Sequence, residues 1–274
     1  MKLITALTAA LWLFVTPAQA GEFITVASTT STQNSGLFDF ILPQFTKKTG
    51  IDVHVVAVGT GQAIRNAKKG DADVLFVHHR PSEDAFVAEG FGVQRFDVMQ
   101  NDFVIVGPKA DPAGLKKTHT PADAVRALAL AKAPFVSRGD DSGTHKRERS
   151  LWKAAAIDPS QASGTWYREA GAGMGATLNM AQAMGAYALA DRGTWIAFKN
   201  KGGMDIVHEG GAGLANPYGV ILVSPKRHPH VKAKSGQAFI DWLISAEGQN
   251  AIASFKLHDQ QLFFPTANTK LRKH

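Results

Sequence analysis

The sequence predicts an α/β protein built as two lobes, and three observations support this prediction. Short apolar runs alternate with amphipathic stretches of helical period from Gly21 onwards, which is typical of a mixed, mostly parallel sheet flanked by helices. Two apolar segments of similar pattern lie far apart in the chain, at residues 101–108 and 216–225. The 274 residues, 45% of them hydrophobic, are enough to form two cores.

The first part of the chain after Gly21 alternates strand and helix three times. In the first helical stretch, Leu37, Phe40, Ile41 and Phe45 recur on one face. The predicted elements are strands at 23–27, 51–58 and 73–77 and helices at 36–48, 61–69 and 82–89. Because parallel neighbours need a long crossover connection, this order predicts helices that connect parallel strands.

The segments 101–108 and 216–225 are each a continuous apolar run that a polar residue opens and a proline closes. We expect both to be crossover strands that carry the chain from one lobe to the other and back. The predicted division is 21–106 with 221–274 for the first lobe and 107–220 for the second. A single continuous domain is the alternative.

Residues 1–20 have the pattern of a cleavable secretory signal, with an early Lys2, an apolar stretch and the small-residue ending Ala18-Gln19-Ala20. The apolar stretch is shorter than the roughly 20 residues that span a bilayer. We therefore expect export to the periplasm and a mature chain that starts near Gly21. The chain has no cysteine, which excludes disulfides and a thiol nucleophile.

The formal net charge of +7 at pH 7 points to an anionic partner. Export argues against nucleic acid. The basic residues are also scattered among acidic ones, without the stripe of arginine and aromatic residues that a nucleic-acid surface would show. The charge suits attraction of small anions.

Two strand-to-helix turns in the first lobe are candidate anion sites. Five hydroxyl residues, Ser28 to Thr32, precede the helix that contains Leu37. Helix N-termini attract anions, because their first amides have no intrahelical acceptor and the macrodipole is positive there. Capping needs a single hydroxyl, so the longer run predicts an anion site. Gly59-Thr60-Gly61 is a weaker candidate, in which glycines allow close backbone approach.

The sharpest candidate lies where a strand in the predicted second lobe ends and a helix begins. Arg138 offers a fixed fork of donors for an oxyanion, and Asp140 is placed to hold its guanidinium. Ser142, Gly143 and Thr144 add donors at the start of the helix. This combination predicts a ligand site rather than a simple helix cap.

Other patterns leave alternatives open. Residues 171–177 form a Gly-rich helix start, where the glycines serve either a ligand or close packing; their spacing does not match the dinucleotide motif, and no phosphate loop occurs. Ser142 with His145 raises the alternative of a serine hydrolase, although no Gly-x-Ser-x-Gly elbow surrounds Ser142. The ten histidines lack His-x-x-x-His spacing, so most are expected on the surface and zinc binding stays an alternative.

In these segments the chain resembles the periplasmic tungstate-binding components of ABC transporters, which are two-lobed oxyanion-binding proteins of the type II periplasmic fold. The resemblance covers essentially the whole mature chain. Its motifs are STTST at 28–32, GDADVL at 70–75, NDFVIVG at 101–107, RGDDSGTH at 138–145, GMGAT at 173–177 and NPYGV at 216–220. The resemblance implies two α/β lobes joined by two crossover strands, which close on an anion by a hinge.

The resemblance also implies the residues of the site. Thr30, Ser31, Arg138 and Thr144 are expected to contact the ligand, with Thr60, Ser142 and Gly143 nearby. Ser28, Thr29, Asp140 and Thr177 are expected to support them. The implied protein is a monomer without cofactor or catalytic activity, which binds its anion unchanged and delivers it to a membrane permease.

The expected anion depends on one departure from the phosphate-binding relatives. As the family implies, those proteins use an additional Asp on the first lobe to accept the proton of hydrogen phosphate, whereas the strand end here is His78-His79-Arg80. Tungstate and molybdate carry no proton at neutral pH, and an unpaired carboxylate would repel them. We therefore expect a proton-free dianion. The resemblance alone selects tungstate, with molybdate, sulfate and phosphate as alternatives, and the roles of residues 78–80 stay open.

Overall fold

A computed structural model describes residues 21–267, so the predicted signal at 1–20 lies outside the described residues. The helices are α1 Thr30–Asn34, α2 Leu37–Thr49, α3 Thr60–Lys69, α4 Arg80–Ala88, α5 Pro121–Ala131, α6 Gly143–Ala154, α7 Met174–Met184, α8 Arg192–Ala197, α9 Ala233–Ile244 and α10 Ala246–Ser254. The strands are β1 Phe23–Thr29, β2 Asp52–Val58, β3 Val74–Val77, β4 Gly92–Pro108, β5 Phe135–Ser137, β6 Tyr167–Glu169, β7 Ala188–Asp191, β8 Met204–His208, β9 Ala215–Val223, β10 Lys256–Leu257, β11 Gln260–Gln261 and β12 Phe264–Pro265. Among the described residues, no helix is both long and apolar enough to cross a bilayer.

The main sheet has the strand order β12-β4-β9-β3-β1-β2, and β7 and β8 also pair with β4. Strand β1 lies parallel to both β2 and β3. Helices α2 and α3 supply the connections that such parallel pairs require. The carboxyl ends of β1, β2 and β3 therefore open at one edge, where α1, α3 and α4 begin.

Strands β4 and β9 pair antiparallel with each other, and Asn101 lies opposite Asn216. Beyond that point, Phe103–Val106 of β4 pairs with β7. The predicted crossover at 101–108 is thus the second half of a strand that begins nine residues earlier. The first half of β4, residues 92–100, mixes polar and apolar residues and therefore does not form a continuous apolar run.

The buried apolar side chains form four clusters, which divide by position in the chain. Two clusters draw their buried members from residues 24–99 and 218–263. The other two draw theirs from residues 103–214. The change from one group to the other falls within β4 and near β9, the two strands that were expected to cross between lobes.

The predicted helix at 36–48 is preceded by a separate short helix. Helix α1 takes up residues 30–34, and Gly36 then adopts a φ of 82°, a left-handed conformation that glycine tolerates best. Helix α2 begins at Leu37. The hydroxyl run therefore caps α1 and not the longer helix that follows it.

Candidate anion-binding site

Arg138 follows β5 and is held by a short turn before α6. The residue is 3% exposed, and Nη2 donates to Oδ2 of Asp140. The other carboxylate oxygen of Asp140 accepts from Ser142 N at 3.2 Å. Asp140 thus orients the guanidinium, as the sequence predicted, and also secures the loop that leads into α6.

Helix α6 is capped by Ser142, whose Oγ accepts from His145 N at 3.2 Å. Because Gly143 and Thr144 occupy the first two helical positions, their N–H groups have no intrahelical acceptor. Both residues are buried. The start of α6 therefore presents free main-chain donors close to Arg138.

The starts of α3 and α6 meet across the cleft. A methyl group added to Gly143 would lie 2.9 Å from Oγ1 of Thr60 and 2.8 Å from Cε1 of His78. One added to Gly59 would lie 3.7 Å from the carbonyl oxygen of Asp140. The structure thus brings Thr60, from the first part of the chain, against the start of α6.

Three of the predicted ligand residues carry a buried donor atom without a protein partner. Within residues 21–267, Oγ1 of Thr60, Nε of Arg138 and Oγ1 of Thr144 make no hydrogen bond to protein. Leaving such a donor unsatisfied costs about 1–3 kcal/mol. Their placement on segments that meet at one cleft identifies this region as the candidate site.

The hydroxyl run of α1 is divided between structural bonds and the cleft. Ser28 Oγ donates to the carbonyl of Phe76 at 2.7 Å, so its hydroxyl supports the sheet. Thr29 caps α1 by accepting from Thr32 N at 3.3 Å. Ser31 Oγ lies 3.1 Å from Nε2 of His78. Thr30 is the first residue of α1 and is partly buried.

Thr177 does not join these residues through its side chain. It lies in α7, and its hydroxyl donates to the carbonyl oxygen of Gly173 at 3.1 Å. This bond runs back to the carbonyl four residues earlier, at the start of α7, where Gly173 provides no side-chain cap. The supporting role that the resemblance implied for Thr177 stays a prediction.

Sequence reasoning missed the part played by His78 and Asn216. His78 is 4% exposed and follows β3 directly, and its Nδ1 lies 2.9 Å from Oδ1 of Asn216. Burial chiefly, and also the charge of Arg138, lower the pKa of His78 to about 4, against the effect of the bond to Asn216. The imidazole is therefore neutral at pH 7. The available signal was a histidine at the strand end where the resemblance implies an acid in phosphate-binding proteins.

His79 and Arg80 have roles at the start of α4. His79 caps that helix through its side chain, which accepts from Ser82 N at 3.3 Å. Burial first, and then Lys146 and Arg147, lower the pKa of His79 to about 4. Arg80 pairs with Asp84 at 2.8 Å on the exposed face of α4.

The buried acid near Arg138 is committed to a helix cap. Asp191 is completely buried, and its carboxylate accepts from the N–H of Thr194 at 2.9 Å and from its hydroxyl at 2.7 Å. Burial raises the pKa of Asp191, while Arg138 and the bonds to Thr194 act in the opposite direction. Both oxygens of this acid are thus occupied.

The geometry gives no support to the serine hydrolase alternative. The bond between Ser142 and His145 runs through the main chain of His145, while the ring Nδ1 accepts from Asp141 N at 3.1 Å. The imidazole is not placed as a base for the Ser142 hydroxyl. Within residues 21–267, no group of three or more His, Cys, Asp or Glu side chains is arranged to hold a metal ion.

Comparisons with known proteins identify the family of this chain. A family model described as a PBP superfamily domain matches residues 15–247. The tungstate-binding protein TupA of Peptoclostridium acidaminophilum is 47% identical over 258 residues, which cover 92% of this chain and 89% of that protein.

Two solved structures are also similar. The structure described as the tungstate ABC transporter of Geobacter sulfurreducens is 51% identical, with a TM-score of 0.78, and the match covers 85% of this chain and 99% of that one. The tungstate-binding protein TupA of Desulfovibrio alaskensis G20 is 44% identical, with a TM-score of 0.78 and coverage of 90% and 99%. These similarities confirm the α/β periplasmic-binding-protein fold that the sequence predicted, and the chain belongs to the PBP superfamily and, within it, to the family of the TupA tungstate-binding proteins.

Proposed function

We propose that this chain is the extracytoplasmic substrate-binding component of an ABC importer and that it binds tungstate, and also molybdate, in the cleft between its lobes. The observation that carries the proposal is the set of buried, unpartnered donors on Thr60, Arg138 and Thr144. A tetrahedral oxyanion supplies acceptors in several directions at once, which is the chemistry that such a set of donors requires. The tungstate-binding names of the relatives support the choice of anion.

The charge of the site suits an anion that carries no proton. Two acids near Arg138 have both oxygens engaged, Asp140 with Arg138 and Ser142 and Asp191 with Thr194. A fully deprotonated dianion needs donors and no acceptor, whereas hydrogen phosphate would need an acceptor for its proton. The free N–H groups at the starts of α3 and α6 add positive potential.

Several further properties belong to the same proposal. We propose lobes at 21–106 with 221–274 and at 107–220. The separation of the apolar clusters supports a division in two, although Phe103 to Val106 pack with the second group and Tyr218 and Val220 with the first. The mature protein is a periplasmic monomer that starts near Gly21 and delivers its anion to a membrane permease. It binds without a cofactor and without catalysis, and Thr30, Ser31, Arg138 and Thr144 contact the anion, with Thr60, Ser142 and Gly143 close by.

Competition calorimetry tests this function directly. We expect tungstate to bind to the purified mature protein, molybdate to compete with it, and sulfate and phosphate to compete weakly. Binding of phosphate in preference to tungstate would contradict the proposed ligand.

The Arg138→Ala variant tests the site. Because a buried, charge-assisted hydrogen-bond donor is lost, we expect the dissociation constant for tungstate to rise by about 100-fold or more. The matched control is Arg126→Ala, since the Arg126 side chain is exposed on α5 and pairs with Asp123 at 2.6 Å. Unchanged affinity in a folded Arg138→Ala protein, checked by circular dichroism, would rule out this site.

A further inference from the structure

The ring of His78 contacts three parts of the fold that the proposed function requires to act together. It stacks on Tyr218 of β9 at a centroid distance of 4.7 Å. Its Cε1 faces the start of α6 so closely that a methyl group on Gly143 would lie 2.8 Å away. Its Nε2 faces the hydroxyls at the start of α1. These contacts indicate that the buried ring of His78 does more than fill space in the core.

On one side, the ring is tied to both crossover strands. Nδ1 of His78 lies 2.9 Å from Oδ1 of Asn216, and Nδ2 of Asn216 donates to Oδ1 of Asn101 at 2.6 Å. Asn216 and Asn101 face each other where β9 and β4 pair. The amide nitrogen of Asn216 donates to Asn101, so the atom of Asn216 that faces His78 is its oxygen. Because that oxygen can only accept, the proton of the neutral imidazole lies on Nδ1.

On the other side, Nε2 therefore acts as an acceptor. Oγ of Ser31 lies 3.1 Å from it and Oγ1 of Thr29 lies 3.2 Å from it. The two oxygens are themselves 3.1 Å apart. One of these two hydroxyls donates a hydrogen bond to Nε2. Which of them does so determines the direction in which the O–H of the other hydroxyl points.

We propose that His78 is a positioning residue for anion binding, which orients the hydroxyls of Thr29 and Ser31 and links them to the paired crossover strands through Asn216. The inference rests on the proposed function, since it names a further residue of the same site. It predicts that His78 acts on the anion through Ser31 and not by direct contact. Movement of the crossover strands would then change the donor arrangement at α1.

A double-mutant cycle tests this link. His78→Phe keeps an aromatic ring that can stack on Tyr218, although the phenyl ring is larger, and it removes the hydrogen bonds of both ring nitrogens. We expect His78→Phe and Ser31→Ala each to raise the dissociation constant for tungstate by about 10-fold, and the double variant to bind no more than about 3-fold more weakly than either single variant, because contacting residues couple. Losses that multiply in the double variant, or unchanged affinity in folded His78→Phe, would overturn the proposal.

The matched control is His54→Phe. The ring of His54 stacks on Phe23 at 4.6 Å, away from the cleft, so its replacement should leave affinity unchanged. If wild-type protein bound no tested oxyanion, the proposed function itself would fail. Weak binding in the His78 variant alone cannot be confused with that result, because the wild type and the control are measured beside it.

Nitrogen NMR of the wild-type imidazole provides a test that does not depend on a variant folding. We expect His78 to be neutral at pH 7, with its proton on Nδ1 and a bare Nε2. The opposite tautomer would overturn the proposal, because Nε2 would then donate to the hydroxyls and could not accept from them.

Discussion

At the scale of single residues, the site is marked by donors that the protein leaves without partners. Thr60 and Thr144 are 0% and 1% exposed, and each hydroxyl lacks a protein acceptor or donor. By contrast, the buried hydroxyl of Ser28 donates to the main-chain carbonyl of Phe76. A buried donor without a partner lowers the stability of the ligand-free protein and increases the affinity for a ligand that accepts a hydrogen bond from it.

This reasoning predicts opposite effects on affinity and stability for Thr144→Val. The change keeps the shape of the side chain and removes its unpartnered hydroxyl, so we expect tungstate affinity to fall about 10-fold, while the free energy of unfolding stays equal or rises by up to about 1 kcal/mol. Calorimetry and urea unfolding measure the two quantities. Thr46→Val is the matched control, because Thr46 Oγ1 donates to Ile51 O at 3.0 Å and its loss should reduce stability alone. Reduced stability with unchanged affinity in Thr144→Val would assign that hydroxyl to the fold.

At the scale of elements, the start of α6 sets how closely the two sides of the cleft approach. Position 143 is the first residue of the helix, where glycine is not needed for the main-chain conformation. It is needed for space, because an added methyl group would approach His78 and Thr60 to less than 3.0 Å. His78, directly after β3, and Thr60 of α3 meet Gly143 of α6 there, and in the proposed site all three segments come together around the anion.

The Gly143→Ala variant should therefore fold normally and bind poorly. We expect a rise of about 30-fold or more in the dissociation constant for tungstate, because the methyl group keeps α6 from the opposite wall of the cleft. The melting temperature without ligand should change by only a few degrees. Gly203→Ala is the control, since Gly203 is exposed before β8 and a methyl group there meets nothing within 4 Å. Wild-type affinity in Gly143→Ala would show that this close approach is not required.

At the scale of the whole molecule, an exposed ion pair crosses the cleft near the surface. Arg65 of α3 and Asp141 beside α6 lie 3.6 Å apart, and their side chains are 57% and 55% exposed. Exposed ion pairs of this kind contribute about 0–1 kcal/mol. We therefore expect closure of the cleft to depend on a bound anion, which in the proposed site would neutralise Arg138 and satisfy donors on both sides.

We expect the protein to become more compact when tungstate binds. Small-angle X-ray scattering should show a smaller radius of gyration with saturating tungstate than without it. The Gly143→Ala variant should show a smaller change, because its methyl group opposes closure. Identical scattering curves for wild-type protein with and without bound tungstate would contradict a hinge that closes on the ligand.

The parts of the fold that could be predicted from the sequence are those that depend on neighbouring residues in the chain. Alternating apolar patterns located β1, β2 and β3 and the helices between them, and hydroxyl and glycine residues marked the starts of α3 and α6. The break between α1 and α2 was not predicted, since it depends on the left-handed conformation of Gly36. The first half of β4 was not predicted either. It is held in the sheet by pairing with β9, and its residues are only partly buried.

The sequence by itself determined the class of fold, the family and the segments that carry donors, because periodicity, capping residues and ordered motifs are local properties of the chain. Only the tertiary structure decided which of these donors remain free. Thr60 and Thr144 are unpartnered, whereas Ser28 and Thr177 donate to carbonyl oxygens that folding brings near them. It also placed His78 between α1, α6 and Asn216, because the pairing of distant strands creates neighbours that sequence spacing does not specify.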